Sequence, residues 1–510
     1  TRLRDGRAAG VTLFRFSNVA SAAQVRTLTA AIQGAARERG EPPLLIAADQ
    51  EGGQLIGLGN ATTPFAGNMA IGATGDPDLA ERVARATGTE LRALGVNVDY
   101  APVCDLAVNP LNPAVGIRSF GDDPDRVGSL VASFVVGLQS AGVAAGLKHF
   151  PGIGDVVDDT HHGLARLEVD RARLDSAELV PFRAGIAAGA RVVMSAHLAV
   201  PALTGRDDLP ATLAPEVMSG LLRGELGFDG VSITDALDMR ALAQGPELVL
   251  DVIAAVRAGV DLLLTAPDTA ARERIEAGLR HAASRGLLDP VAARAAAERG
   301  RALRAWLAAF DDPSLDRVGS AAHRALAAEL AARSITLVRD DDGRIPLRPG
   351  SDARIAAIMP APTDQTPADT SSTVPPGLAR ALRRHHVAVD EFVVGHAPPD
   401  AEIASVRTAV SGHDMVVVGT TGALLEPRQA ALVESVRASA AGGVLTVALR
   451  TPFDLAAYPA SRTHLSTYGI LDPSLDALAD ILFGRAAAVG RLPAAVPGLY
   501  PTGHGIVGAQ

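Results

Sequence analysis

The chain contains very little cysteine and few aromatic residues. A single cysteine, Cys104, among 510 residues excludes an internal disulfide framework and is compatible with either a cytoplasmic or a secreted protein. Aromatic side chains make up 3% of the chain, whereas 48% of its residues are hydrophobic. The core must therefore be built mainly from Ala, Val, Leu and Ile, as is usual in layered α/β proteins.

Long apolar runs and an excess of positive charge are also missing. No run approaches the roughly 20 apolar residues that a membrane-spanning helix needs, so we predict no membrane span. The net charge of −10 is spread along the chain, which argues against nucleic-acid and anionic-membrane partners and favours a small neutral ligand. The start, TRLRD, is typical neither of a signal peptide nor of a natural N-terminus, and we expect that a preceding segment is missing.

Short β-branched runs alternate with longer Ala-, Leu- and Arg-rich helical stretches over the first part of the chain. This alternation is typical of repeated βα units around a parallel sheet. The predicted strands cover residues 10–14, 44–49, 96–103, 146–150, 192–197, 231–235 and 261–265. A closed βα barrel needs eight strands, so these seven agree with a first strand lost together with the missing N-terminal segment.

The whole pattern predicts an α/β protein of two domains. We expect residues 1–310 to form a TIM-type (β/α)8 barrel with the catalytic site, residues 311–333 a linker and a helix, and residues 334–510 an α/β/α sandwich. The sandwich is predicted from apparent strands at 334–339, 354–359, 415–419 and 445–449, with helices between them. The sequence DDPS at residues 311–314 is typical of a linker.

The segment after Pro215 has the sequence pattern of one βα unit. Apolar residues recur at helical spacing between residues 218 and 226, and Gly227 ends the predicted helix before the apolar strand that finishes at Asp235. Other predicted strands also finish in polar residues, namely Asp49, Lys148-His149 and His197. Because active sites of βα barrels lie at the carboxyl ends of the strands, these residues are candidates for a functional site.

The densest group of polar residues lies in the loop after Lys148-His149. Pro151, Gly152 and Gly154 predict a tight turn that lets the chain approach a ligand closely. Asp159 and His161 follow, spaced so that the carboxylate can hold one ring nitrogen while the other faces a substrate. This spacing favours an acid/base pair. The alternatives are a solvated acidic loop and a metal site, although His161 and His162 are adjacent, which is unusual for metal ligands.

Asp235 and Asp49 each end an otherwise apolar strand. A carboxylate in such a position is costly unless it is solvated in a cleft or hydrogen-bonded. Either residue could instead cap the N-terminus of a following helix. Several carboxylates on one face of a barrel are less readily explained by capping than a single one, so we interpret them as a site.

Six motifs occur in order along nearly the whole chain. They are DQEGG at 49–53, NP at 112–113 with RSFG at 118–121, the segment from Lys148 to His161, TDALDM at 234–239, SITLV at 334–338 and GRLP at 490–493. In these motifs the chain resembles glycoside hydrolase family 3, and in particular its β-N-acetylglucosaminidase branch. The resemblance implies a retaining exo-β-N-acetylglucosaminidase that hydrolyses a small carbohydrate substrate without a cofactor or metal.

The resemblance also implies roles for individual residues. The aspartate matching Asp235 is the family's nucleophile, which forms a covalent glycosyl-enzyme. Members that act on N-acetylglucosaminides transfer the proton with an Asp/His pair, which Asp159 and His161 match. Many glucosidases of the family take a glutamate from the second domain instead, so His161 favours N-acetylglucosamine.

Further matches imply that Asp49, Arg118, Lys148 and His149 hydrogen-bond the hydroxyl groups of the bound sugar. Three residues depart from the family pattern. Ile153 stands where the family often has histidine, and Gln54 and Gly57 stand where it often has arginines. None of the three departures falls on the nucleophile or the Asp/His pair.

Three other functions are compatible with the same motifs. The site could pass the sugar to phosphate rather than water, because a neutral histidine base repels incoming phosphate less than a carboxylate does. The chain could also be a family 3 β-glucosidase. A non-enzymatic alternative is a catalytically silent sugar-binding protein that keeps the barrel.

Overall fold

Two six-stranded sheets form the framework of the chain. The computed structural model describes residues 2–157, 163–440 and 442–507. The strands of the first sheet lie side by side in chain order, over Gly10–Thr12, Leu45–Ala48, Val98–Asp99, Ala144–Phe150, Val192–Ser195 and Val231–Thr234. All neighbouring pairs are parallel, and a further parallel bridge joins Ile233 to Leu262. The predicted barrel-type sheet is confirmed, with the seventh predicted strand reduced to that bridge.

Helices alternate with the strands of the first sheet. They span Arg15–Asn18, Ala22–Glu38, Asn68–Thr74, Pro77–Ala93, Pro124–Ser140, Arg171–Ser176, Leu179–Ala187, Pro201–Thr204, Leu248–Ala258, Thr269–Ser284 and Pro290–Leu307. Three of them begin with an Asp-Pro pair, in which Asp76, Asp123 or Asp289 accepts hydrogen bonds from N–H groups of the first turn. Proline gives up no helical hydrogen bond in this position, so the local sequence determines where these helices begin.

The segment after Pro215 forms a π-helix over Glu216–Glu225 in place of the predicted α-helix. Its apolar side chains, including Met218 and Leu221, are buried as their spacing predicts. The helix ends before Gly227, which takes a left-handed φ of 63° that glycine adopts without steric cost. Apolar spacing predicts the buried face of such a segment but does not distinguish i+4 from i+5 hydrogen bonding.

Apolar side chains fill the space that the curled first sheet encloses. Leu45, Val98, Val192 and Val231, one from each of four strands, belong to one buried cluster with Leu303 and Leu307 of the Pro290–Leu307 helix. Arg191 lies over the Trp306 ring of the same helix, 4.2 Å from its centroid. The barrel interior is therefore a packed core, which leaves the strand ends as the place for a site.

The second sheet has its strands in the order Thr336–Asp340, Thr463–Ser466, Val444–Ala448, Met415–Thr420, Ile355–Pro360 and Val389–Val394. The first pair is antiparallel and the others are parallel. Helices Leu378–Arg383 and Asp472–Leu482 contribute to one buried cluster, and Asp400–Val410 and Pro427–Arg437 to another. Helices thus cover both faces, which confirms the predicted α/β/α sandwich.

Two strands of the second sheet are not predicted by the sequence pattern. Val389–Val394 is an edge strand in which exposed and half-buried residues alternate and two acidic side chains interrupt the apolar run. Thr463–Ser466 is fully buried although most of its residues are polar. The strand predicted from Ser334 begins at Thr336, because Ser334 ends the helix Ala321–Ser334. Neither missed strand carries the β-branched apolar run on which strand prediction depends.

The helix Ala321–Ser334 joins the two sheets and contacts both Asn68–Thr74 and Asp472–Leu482. We retain residues 1–310, 311–333 and 334–510 as a proposed division of the chain. Within the described ranges, none of the helices combines the length and the apolar character required to cross a membrane.

Candidate active site

Five of the predicted site residues line one cavity of about 180 Å³ at the carboxyl end of the first sheet. They are Asp49, Arg118, Lys148, His149 and Asp235. Asp49 directly follows the Leu45–Ala48 strand, and Asp235 directly follows the Val231–Thr234 strand. Because all strands of this sheet are parallel, residues far apart in the sequence meet at the same edge of the sheet.

Four charged side chains at this edge form a buried cluster, which we call the charge cluster: Asp49, Glu51, Arg118 and Lys148. The Lys148 Nζ atom lies 2.6 Å from an oxygen of Asp49 and 2.6 Å from an oxygen of Glu51. Arg118 donates two hydrogen bonds to Glu51, at 2.8 and 2.9 Å. Two positive and two negative charges therefore lie within hydrogen-bond distance and balance each other.

The charge cluster is almost completely shielded from water. The side chains of Glu51, Arg118 and Lys148 are no more than 2% exposed, whereas that of Asp49 is 23% exposed. Burial alone would raise the pKa of Glu51, but the positive charges of Arg118 and Lys148 lower it to about 2. Burial would lower the pKa of Lys148, and the two carboxylates raise it above its ordinary value. Glu51, Arg118 and Lys148 are thus held in their charged forms, and Asp49 is the member open to the cavity.

A carboxylate beneath the cavity holds His149 in one orientation. The Nδ1 atom of His149 lies 2.7 Å from Asp105, which also accepts hydrogen bonds from the backbone N–H groups of His149 and Ile153. The Nε2 atom lies 3.3 Å from the guanidinium of Arg118. Because a guanidinium only donates, Nε2 accepts and Nδ1 carries the hydrogen. This arrangement fixes both the tautomer and the ring plane.

Asp235 is held at its strand end by the backbone. Its N–H donates to the Ser195 carbonyl at 3.0 Å, and one carboxylate oxygen accepts from the N–H of Ala236 at 2.7 Å. No helix starts at Ala236, and the next helical turn begins at Gly245. The alternative that Asp235 caps a helix is therefore wrong. The neighbouring His197 is buried against Thr212 and the Ala236 carbonyl, and this burial lowers its pKa.

One wall of the cavity comes from the second half of the chain. Residues 367–370 line the cavity and bind the segment around Gln54. The Gln54 carbonyl accepts two hydrogen bonds from Thr370, at 2.8 Å from its N–H and 2.9 Å from its hydroxyl. Arg450 donates to the Gln54 side chain and to Asp369, both at 2.7 Å. Both halves of the chain therefore build the cavity.

Each of the three departures from the family pattern has a structural counterpart. Gln54 makes the contacts with Arg450 and Thr370 described above. Gly57 lines the cavity, and a Cβ atom there would lie 2.6 Å from the Asp49 carbonyl oxygen, so no larger side chain fits without moving the backbone. Ile153 is buried, and its N–H holds Asp105 at 2.8 Å. Only Gly57 of the three faces the cavity.

The remaining predicted site residues, Asp159 and His161, lie outside the described residues. The alternative of a metal site depends on His161 and His162, which lie outside them as well. In the described part of the chain, no three His, Cys, Asp or Glu side chains lie together as metal ligands.

Residues that sequence reasoning missed fall into two groups. Glu51 pairs with Lys148, and Asp105 holds His149. Both follow predicted strand ends closely, and this position in the sequence indicates a possible site residue. Asp369, Thr370 and Arg450 come from loops more than 300 residues away from Gln54 along the chain. No local pattern marks them.

Comparison with known proteins identifies close relatives. The profile of the Glycosyl hydrolase family 3 N-terminal domain matches residues 1–299. Beta-hexosaminidase A of Pseudoalteromonas piscicida is 32% identical, over 96% of this chain and 89% of that protein. A beta-hexosaminidase of Stenotrophomonas maltophilia strain K279a is 41% identical, over 51% of this chain and 77% of that protein.

A solved structure matches nearly the whole chain. It is a glycoside hydrolase family 3 beta-N-acetylglucosaminidase from Paenibacillus sp. str. FPU-7, with 35% identity and a TM-score of 0.90. The match covers 97% of this chain and 94% of that one. Both sheets thus have counterparts in one known protein.

We predict that Glu51→Gln lowers the free energy of unfolding by roughly 3 kcal/mol at neutral pH. The pKa of Glu51 is about 2 in the folded protein against an ordinary 4.5, so its carboxylate stabilises the fold fully above pH 4.5. This contribution is lost as the pH falls from 4.5 toward 2. Urea unfolding between pH 7 and 3 should show the difference between wild type and variant shrinking over that window.

The matched control is Glu298→Gln, which changes an exposed glutamate in the Pro290–Leu307 helix. Its stability should follow that of the wild type at every pH. A Glu51→Gln deficit that stays constant with pH would mean that the charge of Glu51 does not stabilise the fold.

Proposed function

The chain belongs to glycosyl hydrolase family 3, and on that basis we propose that it removes terminal β-linked N-acetylglucosamine from oligosaccharides or cell-wall fragments, with retention of configuration. The observation that carries this proposal is the convergence of Asp235 and the charge cluster on one cavity. The names of the relatives support N-acetylglucosamine as the sugar that is removed. They include beta-hexosaminidases and a beta-N-acetylglucosaminidase.

The size of the cavity supports removal of single terminal sugars. Over the described residues its volume of about 180 Å³ lies below the roughly 300–1,000 Å³ of pockets for drug-sized ligands, so its enclosed part suits one sugar ring and any further part of the substrate lies at its exposed rim. The wall at residues 367–370 limits the cavity on the side of the second sheet. An enzyme with such a site acts on chain ends rather than on the middle of a polysaccharide.

In the proposed mechanism, Asp235 attacks the anomeric carbon, the bond from that carbon to the glycosidic oxygen breaks with release of the protonated aglycone, and a covalent glycosyl-enzyme remains. The place of Asp235 at a strand end, with one oxygen held by the Ala236 N–H, limits how far the carboxylate can turn. Water then releases the sugar, and two inversions give net retention.

Proton transfer is assigned to Asp159 and His161 from their match to the family's Asp/His pair. His161 is positively charged because it shares its proton with the Asp159 carboxylate. In the first step this imidazolium protonates the glycosidic oxygen. The neutral imidazole then removes a proton from the attacking water in the second step. This assignment needs no catalytic residue from the second half of the chain.

The charge cluster and His149 orient the sugar in this proposal. Asp49, the member open to the cavity, accepts hydrogen bonds from sugar hydroxyl groups, while Lys148 and Arg118 donate to them and the Nε2 atom of His149 accepts on the same face. Because Glu51 and Asp105 already fix these side chains, little reorganisation is needed when the transition state forms.

We predict that the p-nitrophenyl β-glycoside of N-acetylglucosamine is hydrolysed at least about 100-fold more efficiently than that of glucose. A site that binds the acetamido group leaves polar groups unpaired when that group is absent. The measurement is kcat/KM for both substrates, with and without phosphate. A preference for glucose would contradict the proposal, and a sugar 1-phosphate formed with phosphate would identify a phosphorylase instead.

The acid role of His161 predicts an effect that depends on the leaving group. His161→Ala should lower kcat/KM by roughly 10²- to 10⁴-fold on a β-linked disaccharide. The loss should be much smaller on a dinitrophenyl glycoside, because its dinitrophenolate group leaves without protonation. The adjacent His162→Ala is the matched control and should affect both substrates little. Equal losses on both substrates in His161→Ala would exclude the acid role.

A further inference from the structure

Exposed aromatic side chains occur at one place only. The chain has 12 Phe, 4 Tyr and 1 Trp, all within the described residues. Of these, only Phe14 and Phe16 are exposed, at 45% and 69%. The other aromatic residues are buried or half-buried. The two exposed rings are close neighbours in the sequence, and both line the cavity that contains Asp235.

The local structure presents both rings at the cavity. They follow the Gly10–Thr12 strand and lie at the start of a one-turn helix, Arg15–Asn18. The N–H of Phe14 donates to the Asn18 side chain at 2.9 Å, which closes the turn. The N–H of Leu13 donates to the Ala47 carbonyl at 2.8 Å and joins the turn to the strand that precedes Asp49.

Exposure of two large apolar rings is unfavourable in water unless a partner covers them. Both rings share the lining of the cavity with Asp49 and Asp235, so a ligand that enters the cavity can cover them. Aromatic rings offer a flat apolar surface at low cost in conformational entropy, and a pyranose presents a matching apolar face of C–H groups. The charge cluster, in contrast, offers polar groups suited to hydroxyl groups.

We infer that Phe14 and Phe16 bind the aglycone, the part of the substrate beyond the scissile bond, by packing against the C–H face of its sugar ring. This inference rests on the proposed function, which places the terminal sugar on the charge cluster. It names the substrate class as β-linked oligosaccharides rather than glycosides of small alcohols. Phe16, the more exposed ring, is the main contact.

The test compares two substrates with alkoxide leaving groups: β-1,4-linked N,N′-diacetylchitobiose and methyl β-N-acetylglucosaminide. A methyl group is too small to cover a phenyl ring, whereas a second sugar can. Phe16→Ala should lower kcat/KM for the disaccharide by on the order of tenfold, mainly through KM, and leave the methyl glycoside within about twofold of wild type. Phe16→Tyr, which keeps the ring, should restore the disaccharide value.

Leu287→Ala is the control for loss of an exposed apolar side chain, since Leu287 is 54% exposed and does not line the cavity. It should change neither substrate, and an unchanged melting temperature shows that each variant is folded. Equal losses on both substrates in Phe16→Ala, or no loss on either, would overturn the inference while the proposed function stands. A wild type that hydrolyses neither substrate would overturn the proposed function and this inference with it.

Discussion

The site depends on keeping Glu51, Arg118 and Lys148 charged and paired out of contact with water. Each buried charge costs several kcal/mol unless its partners are in place, so the position of one side chain constrains the other two. The bidentate contact between Arg118 and Glu51 and the 2.6 Å contact between Glu51 and Lys148 satisfy this requirement. The consequence is a rigid floor on which the groups that line the cavity, including Asp49 and His149, have little freedom to move.

The fold supplies this arrangement because parallel strands bring their carboxyl ends to one edge. Glu51 and Lys148 lie almost 100 residues apart in the sequence, yet both lie at that edge, Glu51 shortly after the Leu45–Ala48 strand and Lys148 near the end of the Ala144–Phe150 strand. The second half of the chain then closes one side of the cavity through Arg450, Asp369 and Thr370. The polar floor and the exposed phenylalanine rings give the cavity two chemically different regions, which suits a substrate with two differently bound parts.

The sequence predicts what is local and misses what depends on distant contacts. Strands of the first sheet follow from β-branched runs, and Asp49 and Asp235 follow from their places at strand ends. The edge strand Val389–Val394 and the buried polar strand Thr463–Ser466 carry no such signal, because neighbouring strands rather than their own composition stabilise them. The contact of Arg450 with Gln54 likewise exists only once both sheets are folded. Asp159 and His161 stay predictions from sequence alone.

The proposed mechanism requires that Asp235 form a covalent bond to the sugar. The most direct measurement treats the protein with a 5-fluoro-N-acetylglucosaminyl fluoride, which reacts quickly in the first step and slowly in the second, and locates the added mass by peptide mapping. We expect one glycosyl group on the peptide that contains Asp235, and none in the Asp235→Asn variant. An adduct on another carboxylate, or turnover without any covalent adduct, would contradict this mechanism.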